Sequence, residues 1–248
     1  MKRLKAFLLT ALGCLLMTAA GHAQTASSPS GGATLNVPSI TGATTGGGET
    51  AESKEPLTAV TAFVNAPAEV FPTIDRMTRM DMVDYYNSGS QRPSKNAFKG
   101  DARILSASPR QLTVSTSDVS VVELSLLEQQ KKDTMIMVIT TLSTPVEDSY
   151  VKLYTREWKP VDGLFVVPLL EDWTREEARD RREDLENSIP FMLARCTYVP
   201  ETNTLTLTNN LGSYLPEEAL GLAEGSLRQS ISYRWDGKRF VKVKQHKL

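Results

Sequence analysis

The chain has 248 residues and a formal net charge of −1, from 28 basic and 29 acidic residues. This balance lacks the basic excess of a non-specific nucleic-acid binder, so we expect no nucleic-acid partner. With two histidines and two cysteines, the chain is also poor in the side chains that build zinc sites and Ser-His-Asp or Cys-His catalytic centres. No glycine-rich phosphate loop follows a predicted strand. We therefore expect neither a metal nor a cofactor.

Residues 1–23 have the pattern of a cleavable signal peptide. A basic start is followed by an uncharged apolar stretch over residues 6–20 and an expected cut between Ala23 and Gln24. The basic residues are Lys2, Arg3 and Lys5. An uncleaved anchor helix would need roughly 20 apolar residues, and lipidation of Cys14 would require the apolar run to end there. The sequence predicts export to the periplasm or cell envelope, with no transmembrane anchor after cleavage.

Cleavage would change the composition of the chain. It would remove three basic residues and no acidic one, which takes the net charge from −1 to −4. It would also remove Cys14 and His22, which leaves Cys196 without a partner for an intramolecular disulfide. Cys196 lies in a strand-like stretch, so we interpret it as a buried small hydrophobe rather than a reactive nucleophile.

Residues 24–56 are rich in Thr, Ser, Gly, Ala and Pro and hold almost no large apolar side chain. Such a segment buries too little surface to offset the entropy of ordering it. We therefore interpret residues 24–56 as a disordered spacer and residues 57–248 as a single domain.

Two helices are predicted at the start of this domain. The first spans residues 59–65, with Thr58 as its N-cap. The second is predicted to have Thr78 as its N-cap, Asp81 in its first turn and Gly89 at its left-handed C-terminal position.

Strands follow, because the hydrophobic period changes to two after residue 102. The predicted strands are 104–105, 112–116, 119–127, 135–142 and 150–158. The run 135–142 is almost entirely apolar or β-branched, which favours a strand in the interior of a sheet.

A charged segment follows residue 174. Its first four residues match a capping box, which predicts a surface helix from Thr174 that ends before Pro190. An apolar seam comes from Ala178, Leu185 and Ile189. We interpret its charges as a solvated face rather than a partner site.

The last third of the chain is again rich in strands. Runs 191–198 and 204–208 predict a hairpin, and 216–224 predicts a short helix. Asp236-Gly237 predicts a two-residue hairpin loop, which would set Tyr233 opposite Phe240. The elements together predict an α+β fold: an antiparallel, curved β-sheet with N-terminal helices and one or two further helices packed on it.

Several motifs occur in a fixed order along the chain. They are Arg-Met-Asp-Met-Val-Asp-Tyr-Tyr at 79–86 after Pro72, the apolar strand 135–142, Tyr-x-x-x-Trp at 154–158, Asn-x-Leu-x-Leu-x-Asn at 203–209, and Tyr-x-Trp-Asp-Gly-Lys-x-Phe at 233–240. In this order they resemble an exported family of unknown function from Bacteroidales, over most of residues 57–244. The resemblance implies a Gram-negative envelope protein and supplies no activity.

The aromatic residues of the predicted strand 150–158 are the candidate binding residues. Alternation places Tyr150, Tyr154 and Trp158 on one face of that strand, where they could form an aromatic platform for a sugar or a peptide. The alternative interpretation is that this face packs under a helix. We assign no catalytic, cofactor or metal residue.

A pair of carboxylates suggests a second chemistry. Asp81 and Asp84 are three residues apart on a predicted helix, so both could lie on one face. Paired carboxylates carry out glycoside hydrolysis. The alternative is that Asp81 stabilises the helix N-terminus and that Asp84 pairs with Arg79 or Arg76.

The sequence leads us to expect a non-catalytic binding or interaction module of the cell envelope, with an envelope protein or a glycan as partner. The alternative is a carboxylate-dependent hydrolase acting on glycans outside the cytoplasm. A third interpretation is a purely structural part of an envelope assembly, which predicts an apolar patch.

Overall fold

The computed structural model describes residues 56–129 and 133–244. The expected signal peptide (1–23) and the expected spacer (24–56) lie outside these residues except at Pro56. The helices are α1 (Ala59–Asn65), α2 (Arg76–Asn87), α3 (Leu170–Trp173), α4 (Arg182–Ser188) and α5 (Glu217–Ser226), with short 3₁₀ helices at Glu176–Arg181 and Leu211–Ser213. The strands are β1 (Ser94–Lys95), β2 (Asp101–Ala107), β3 (Gln111–Ser117), β4 (Ser120–Glu128), β5 (Thr134–Leu142), β6 (Asp148–Tyr154), β7 (Ala194–Val199), β8 (Thr204–Asn209), β9 (Ser230–Trp235) and β10 (Phe240–Lys242).

The two N-terminal helices begin at carboxyl or hydroxyl caps. The Thr58 hydroxyl accepts a hydrogen bond from the amide of Thr61 at 3.0 Å, which confirms the predicted start of α1. The predicted start of α2 at Thr78 is wrong. The Asp75 carboxylate accepts from the Thr78 amide at 2.7 Å, so the helix begins at Arg76 and Asp81 lies beyond its first turn.

The first six strands form one antiparallel sheet in the order β1-β2-β3-β4-β5-β6. β5 is an interior strand, as predicted, because both of its faces are buried. On one face, Met135, Met137 and Ile139 join a core shared with the second sheet. Ile136 and Val138 face the opposite way. We place them toward the layer of α1 and α2, because α1 contacts β3 and β4 but contributes no side chain to the shared core.

The last four strands form a second antiparallel sheet in the order β10-β9-β8-β7. The hairpin predicted from the runs 191–198 and 204–208 is confirmed as the β7–β8 pair. Two side chains of β6 join the sheets: the Asp148 carboxylate accepts from the Ala194 amide and the Ser149 hydroxyl from the Cys196 amide, both at 3.0 Å. Backbone amides of β7 in the second sheet are thus hydrogen-bonded to side chains of β6 in the first sheet.

The register of the last hairpin differs from the prediction. Phe240 lies opposite Trp235, and Tyr233 lies opposite Lys242. The loop has four residues because the Asp236 carboxylate accepts hydrogen bonds from the amides at positions 238 and 239, both at 2.8 Å. The aromatic cross-strand pair is therefore Trp235 with Phe240, whose ring centroids are 5.2 Å apart.

The charged segment after residue 174 also differs from the prediction. Thr174 is the C-cap of α3, and its hydroxyl donates to the Leu170 carbonyl at 2.9 Å, so the predicted capping box is wrong. A 3₁₀ helix and α4 replace the single helix. The predicted apolar seam of Ala178, Leu185 and Ile189 is confirmed, because all three side chains are buried.

The fold class is α+β, as predicted: two open antiparallel sheets with helices against them. The strands divide between two sheets, where the sequence analysis expected one. Within residues 56–129 and 133–244, no helix is long and apolar enough to cross a lipid bilayer.

Candidate functional site

A groove of about 470 Å³ lies beside the C-terminal half of β6. Three parts of the chain form it: residues 67–70 after α1, residues 151–154 of β6, and the segment 158–165. The segment 158–165 turns back along β6, because the Val161 amide donates to the Leu153 carbonyl at 2.8 Å. This return closes the edge of β6 at that point and forms one wall of the groove.

Trp158 lies in the turn at the start of this wall. Its backbone adopts φ +62°, a left-handed conformation that bulky side chains rarely take. Two hydrogen bonds of Thr155 close the turn: its carbonyl accepts from the Trp158 amide at 3.0 Å, and its amide donates to the Lys159 carbonyl at 2.8 Å. The conformation costs on the order of 1–3 kcal/mol, and the turn bonds hold it in place.

Tyr154 packs against this tryptophan. The two ring centroids are 5.3 Å apart and the ring planes are tilted by 59°. Tyr154 is buried at the end of β6, and this burial raises the pKa of its phenol. The Tyr154 hydroxyl is a possible hydrogen-bond donor at the end of β6.

Tyr150 lies apart from these two rings. It is half exposed on β6, does not line the groove, and has the Lys152 ammonium 5.7 Å from its ring centroid. The structure thus brings Tyr154 and Trp158 together. Lys152 lies between Tyr150 and the groove, because it contacts the Tyr150 ring and also lines the groove. The proposed binding role of the three residues stays a prediction.

The other side chains of the groove were not predicted from the sequence. Phe165 lines it and also packs on Tyr233 and Phe240 of the second sheet, with ring centroids 5.3 and 5.9 Å apart. Exposed carboxylates come from Glu69 and Asp162. Pro160 and Gly163 are residues that interrupt strands, so the sequence indicates a loop after β6. No sequence signal indicates that this loop lies near Glu69.

Asp81 and Asp84 lie on the exposed side of α2 and line neither this groove nor the cavity at the C-terminal end of α2. The expected pairing of Asp84 with Arg79 is wrong. Arg79 is buried, donates to the Ala66 carbonyl at 2.6 Å, and lies over the rings of Phe63 and Phe71. Among the described residues, no ion pair includes Asp84.

Metal and thiol chemistry receive no support from the described chain. In residues 56–129 and 133–244, no group of three or more His, Cys, Asp or Glu side chains could hold a metal ion. The free thiol of Cys196 is buried, and this burial raises its pKa to about 12. It is therefore a neutral thiol packed in the core between the sheets.

The chain is similar to a family of sequences and to a solved structure. The family described as "Protein of unknown function (DUF3256)" matches residues 53–240. A solved domain of an uncharacterized protein from Porphyromonas gingivalis W83 is 26% identical, with a TM-score of 0.63 over 73% of this chain and 97% of that chain. No protein of curated function matches the chain. Since the family match covers more than half of the sequence, the chain belongs to the DUF3256 family of proteins of unknown function.

Proposed function

We propose that this protein is a non-catalytic binding module that works outside the cytoplasm, in the periplasm or at the cell envelope. Its partner in this proposal is an envelope protein or a glycan, bound in the groove beside β6. Support for export comes from the signal-peptide pattern of residues 1–23. Support for binding comes from the groove itself.

The observation that carries the proposal is the strained placement of Trp158. The ring of Trp158 packs on Tyr154, but asparagine or glycine would adopt φ +62° with less strain than tryptophan. Strained residues that the surrounding turn holds in place cluster at binding and catalytic sites. Here the strain sets an indole beside Tyr154 at the wall of the groove.

The chemistry of the groove suits a ligand with both apolar and hydrogen-bonding faces. Trp158, Tyr154 and Phe165 offer ring surface, while Lys152, Glu69 and Asp162 offer charged groups at exposed positions. Sugar rings and short peptide segments have this mixture, because they stack on aromatic rings and bond to polar groups at the edge.

Tryptophan fluorescence tests the proposal directly. The chain has three tryptophans, of which Trp173 and Trp235 are buried and Trp158 is partly exposed. Candidates come from a glycan array and from envelope proteins that co-purify with the full-length chain expressed as encoded. A ligand of the groove should then reduce quenching of Trp158 by acrylamide.

A matched pair of variants gives the control. Trp158→Ala should weaken binding of a candidate at least tenfold, because it removes the exposed ring of the groove. Phe98→Ala removes an aromatic ring that is 82% exposed and does not line the groove, so binding should be unchanged. If nothing binds the array and nothing co-purifies, or if both variants bind equally, the proposal is wrong.

The alternative of a carboxylate-dependent hydrolase has less support. Asp81 and Asp84 lie outside the groove, and the carboxylates that line it, Glu69 and Asp162, are both on exposed loops. Hydrolysis of a bound glycan, abolished by Glu69→Gln or Asp162→Asn, would favour the enzyme. Binding without hydrolysis would favour the module.

A further inference from the structure

A second cavity lies at the other end of the first sheet. Its volume is about 330 Å³. The cavity is lined by the C-terminal half of α2, by the residues that follow this helix, and by β2. β1 pairs with β2 only at Asp101 and Ala102. Beyond that point the edge of β2 is left open, and Arg103, Ile104 and Leu105 line the cavity.

The charges in this cavity are of one sign. Of the lining residues that the structure describes, the charged ones are Arg92 and Arg103, and none is a carboxylate. The acidic residue closest in sequence to Arg103 is Asp101, which is already paired with Lys95 across β1 and β2. Two exposed guanidinium groups therefore line the same cavity without a carboxylate in its wall.

The bonds at the end of α2 leave these arginines available. The carbonyls of Asp84, Tyr86 and Tyr85 accept from the amides of residues 88, 89 and 90, so neither guanidinium is needed to cap the helix. Arg92 lies over the Tyr85 ring, 5.7 Å from its centroid. A guanidinium that lies over the face of a ring can direct the N–H groups of its own plane toward a ligand.

Polar groups beside the arginines complete the cavity wall. The Tyr86 hydroxyl accepts from the Ala107 amide at 3.1 Å, which fixes α2 against the open edge of β2. Ser94 also lines the cavity; it is 9% exposed, and its hydroxyl has no hydrogen-bond partner within the described residues. An unsatisfied buried hydroxyl is costly, and a bound polar ligand is one way to satisfy it.

We propose that this cavity binds an oxyanion, a carboxylate or a phosphate, through Arg92 and Arg103. The planar guanidinium matches both groups in a two-point hydrogen-bond geometry. The body of the ligand would pack on Tyr85 and on Leu105, which is half exposed. The site is separate from the groove beside β6, since no residue lines both cavities.

Calorimetric titration of the full-length chain tests this site with three probes that share one sugar ring: galacturonate, galactose 6-phosphate and galactose. At least one anion should bind at least ten times more tightly than neutral galactose. The anion that binds identifies the group, carboxylate or phosphate. The affinity should fall as salt is added, because exposed charges are screened.

Arginine variants locate the binding. Arg92→Gln and Arg103→Gln should each weaken the anion at least tenfold. Arg76→Gln is the matched control, because Arg76 is an exposed arginine of α2 that does not line the cavity, and it should leave the affinity unchanged. If neither anion binds, or if Arg76→Gln weakens binding as much as the other two variants, the proposal is overturned.

Discussion

The guanidinium of Arg79 donates a hydrogen bond of 2.6 Å to the carbonyl oxygen of Ala66, across the contact between α2 and the end of α1. Ala66 is the C-cap residue of α1, where a positive charge is favourable. The same guanidinium lies over the rings of Phe63 and Phe71, 5.9 and 5.6 Å from their centroids. Arg79 thus joins the two N-terminal helices, although the sequence motif around it suggested an ion pair with Asp84.

Replacing Arg79 should therefore destabilise the fold. We expect Arg79→Ala to lower the free energy of unfolding by about 2 kcal/mol, because it removes a charge-assisted hydrogen bond and the packing of the side-chain stem. Urea denaturation measures this. Arg76→Ala, at an exposed position of the same helix, should change the free energy by less than about 0.5 kcal/mol. Equal effects of the two variants would contradict the role given to Arg79.

The join between the sheets depends on Ser149. Its hydroxyl lies 2.8 Å from the Thr141 hydroxyl and accepts from the Cys196 amide at 3.0 Å. Ser149→Ala should cost about 1–3 kcal/mol of unfolding free energy, because the amide of the buried Cys196 loses its acceptor. Ser106→Ala, at an exposed position of β2, should be nearly neutral in the same chemical denaturation. A neutral Ser149→Ala would mean that water replaces the hydroxyl at no cost.

The start of α2 predicts a dependence of stability on pH. The amide of Thr78 donates to the Asp75 carboxylate and lowers its pKa below the usual 3.8. A carboxyl with a lowered pKa in the folded state contributes stability above the unfolded value. That contribution falls as the pH drops below about 3.8 and is lost once the pH passes the lowered folded pKa.

An asparagine variant separates the charge from the cap. Asn is as good an N-cap as Asp, so Asp75→Asn should keep most of the stability at pH 7. The difference in unfolding free energy between wild type and Asp75→Asn should then shrink between pH 4 and the point of acid unfolding. Thermal denaturation across this range checks it. A difference that grows as the pH falls has the wrong sign and would contradict the assignment.

The elements that could be predicted from sequence are those whose signal is local. β5 was identifiable because burial of both faces leaves an unbroken apolar run, and α1 because Thr58 is its one capping residue. The start of α2 was wrongly predicted at Thr78, because Asp75 three residues earlier is an equally good cap and its hydrogen bond to the Thr78 amide starts the helix there. The predicted register of the last hairpin was wrong because the Asp236 carboxylate accepts hydrogen bonds from two amides and the loop is longer than two residues.

The site was only half predictable for the same reason. Alternation along a strand predicted one shared face for Tyr154 and Trp158, but β6 ends at Tyr154 and the turn after it brings the two rings together. Glu69 and Phe165 join the groove through packing of distant parts of the chain, and neither has a periodic or motif signal. The left-handed backbone of Trp158 depends on the turn closed by Thr155, which residue types alone do not specify.

The strain at Trp158 can be measured by itself. Trp158→Ala and Trp158→Gly both remove the indole, but only alanine keeps a Cβ at φ +62°. The glycine variant should therefore be more stable than the alanine variant by about 1 kcal/mol in urea denaturation.

The matched control is the next residue, Lys159, which is exposed and does not have a positive φ. There Lys159→Gly should be less stable than Lys159→Ala, because glycine loses more backbone entropy on folding. If alanine is the more stable replacement at both positions, the backbone at Trp158 is unstrained and the main support for the binding groove is removed. If the order reverses only at position 158, the fold spends stability to hold an indole beside Tyr154, and a ligand for that ring pair becomes the simplest reason for it.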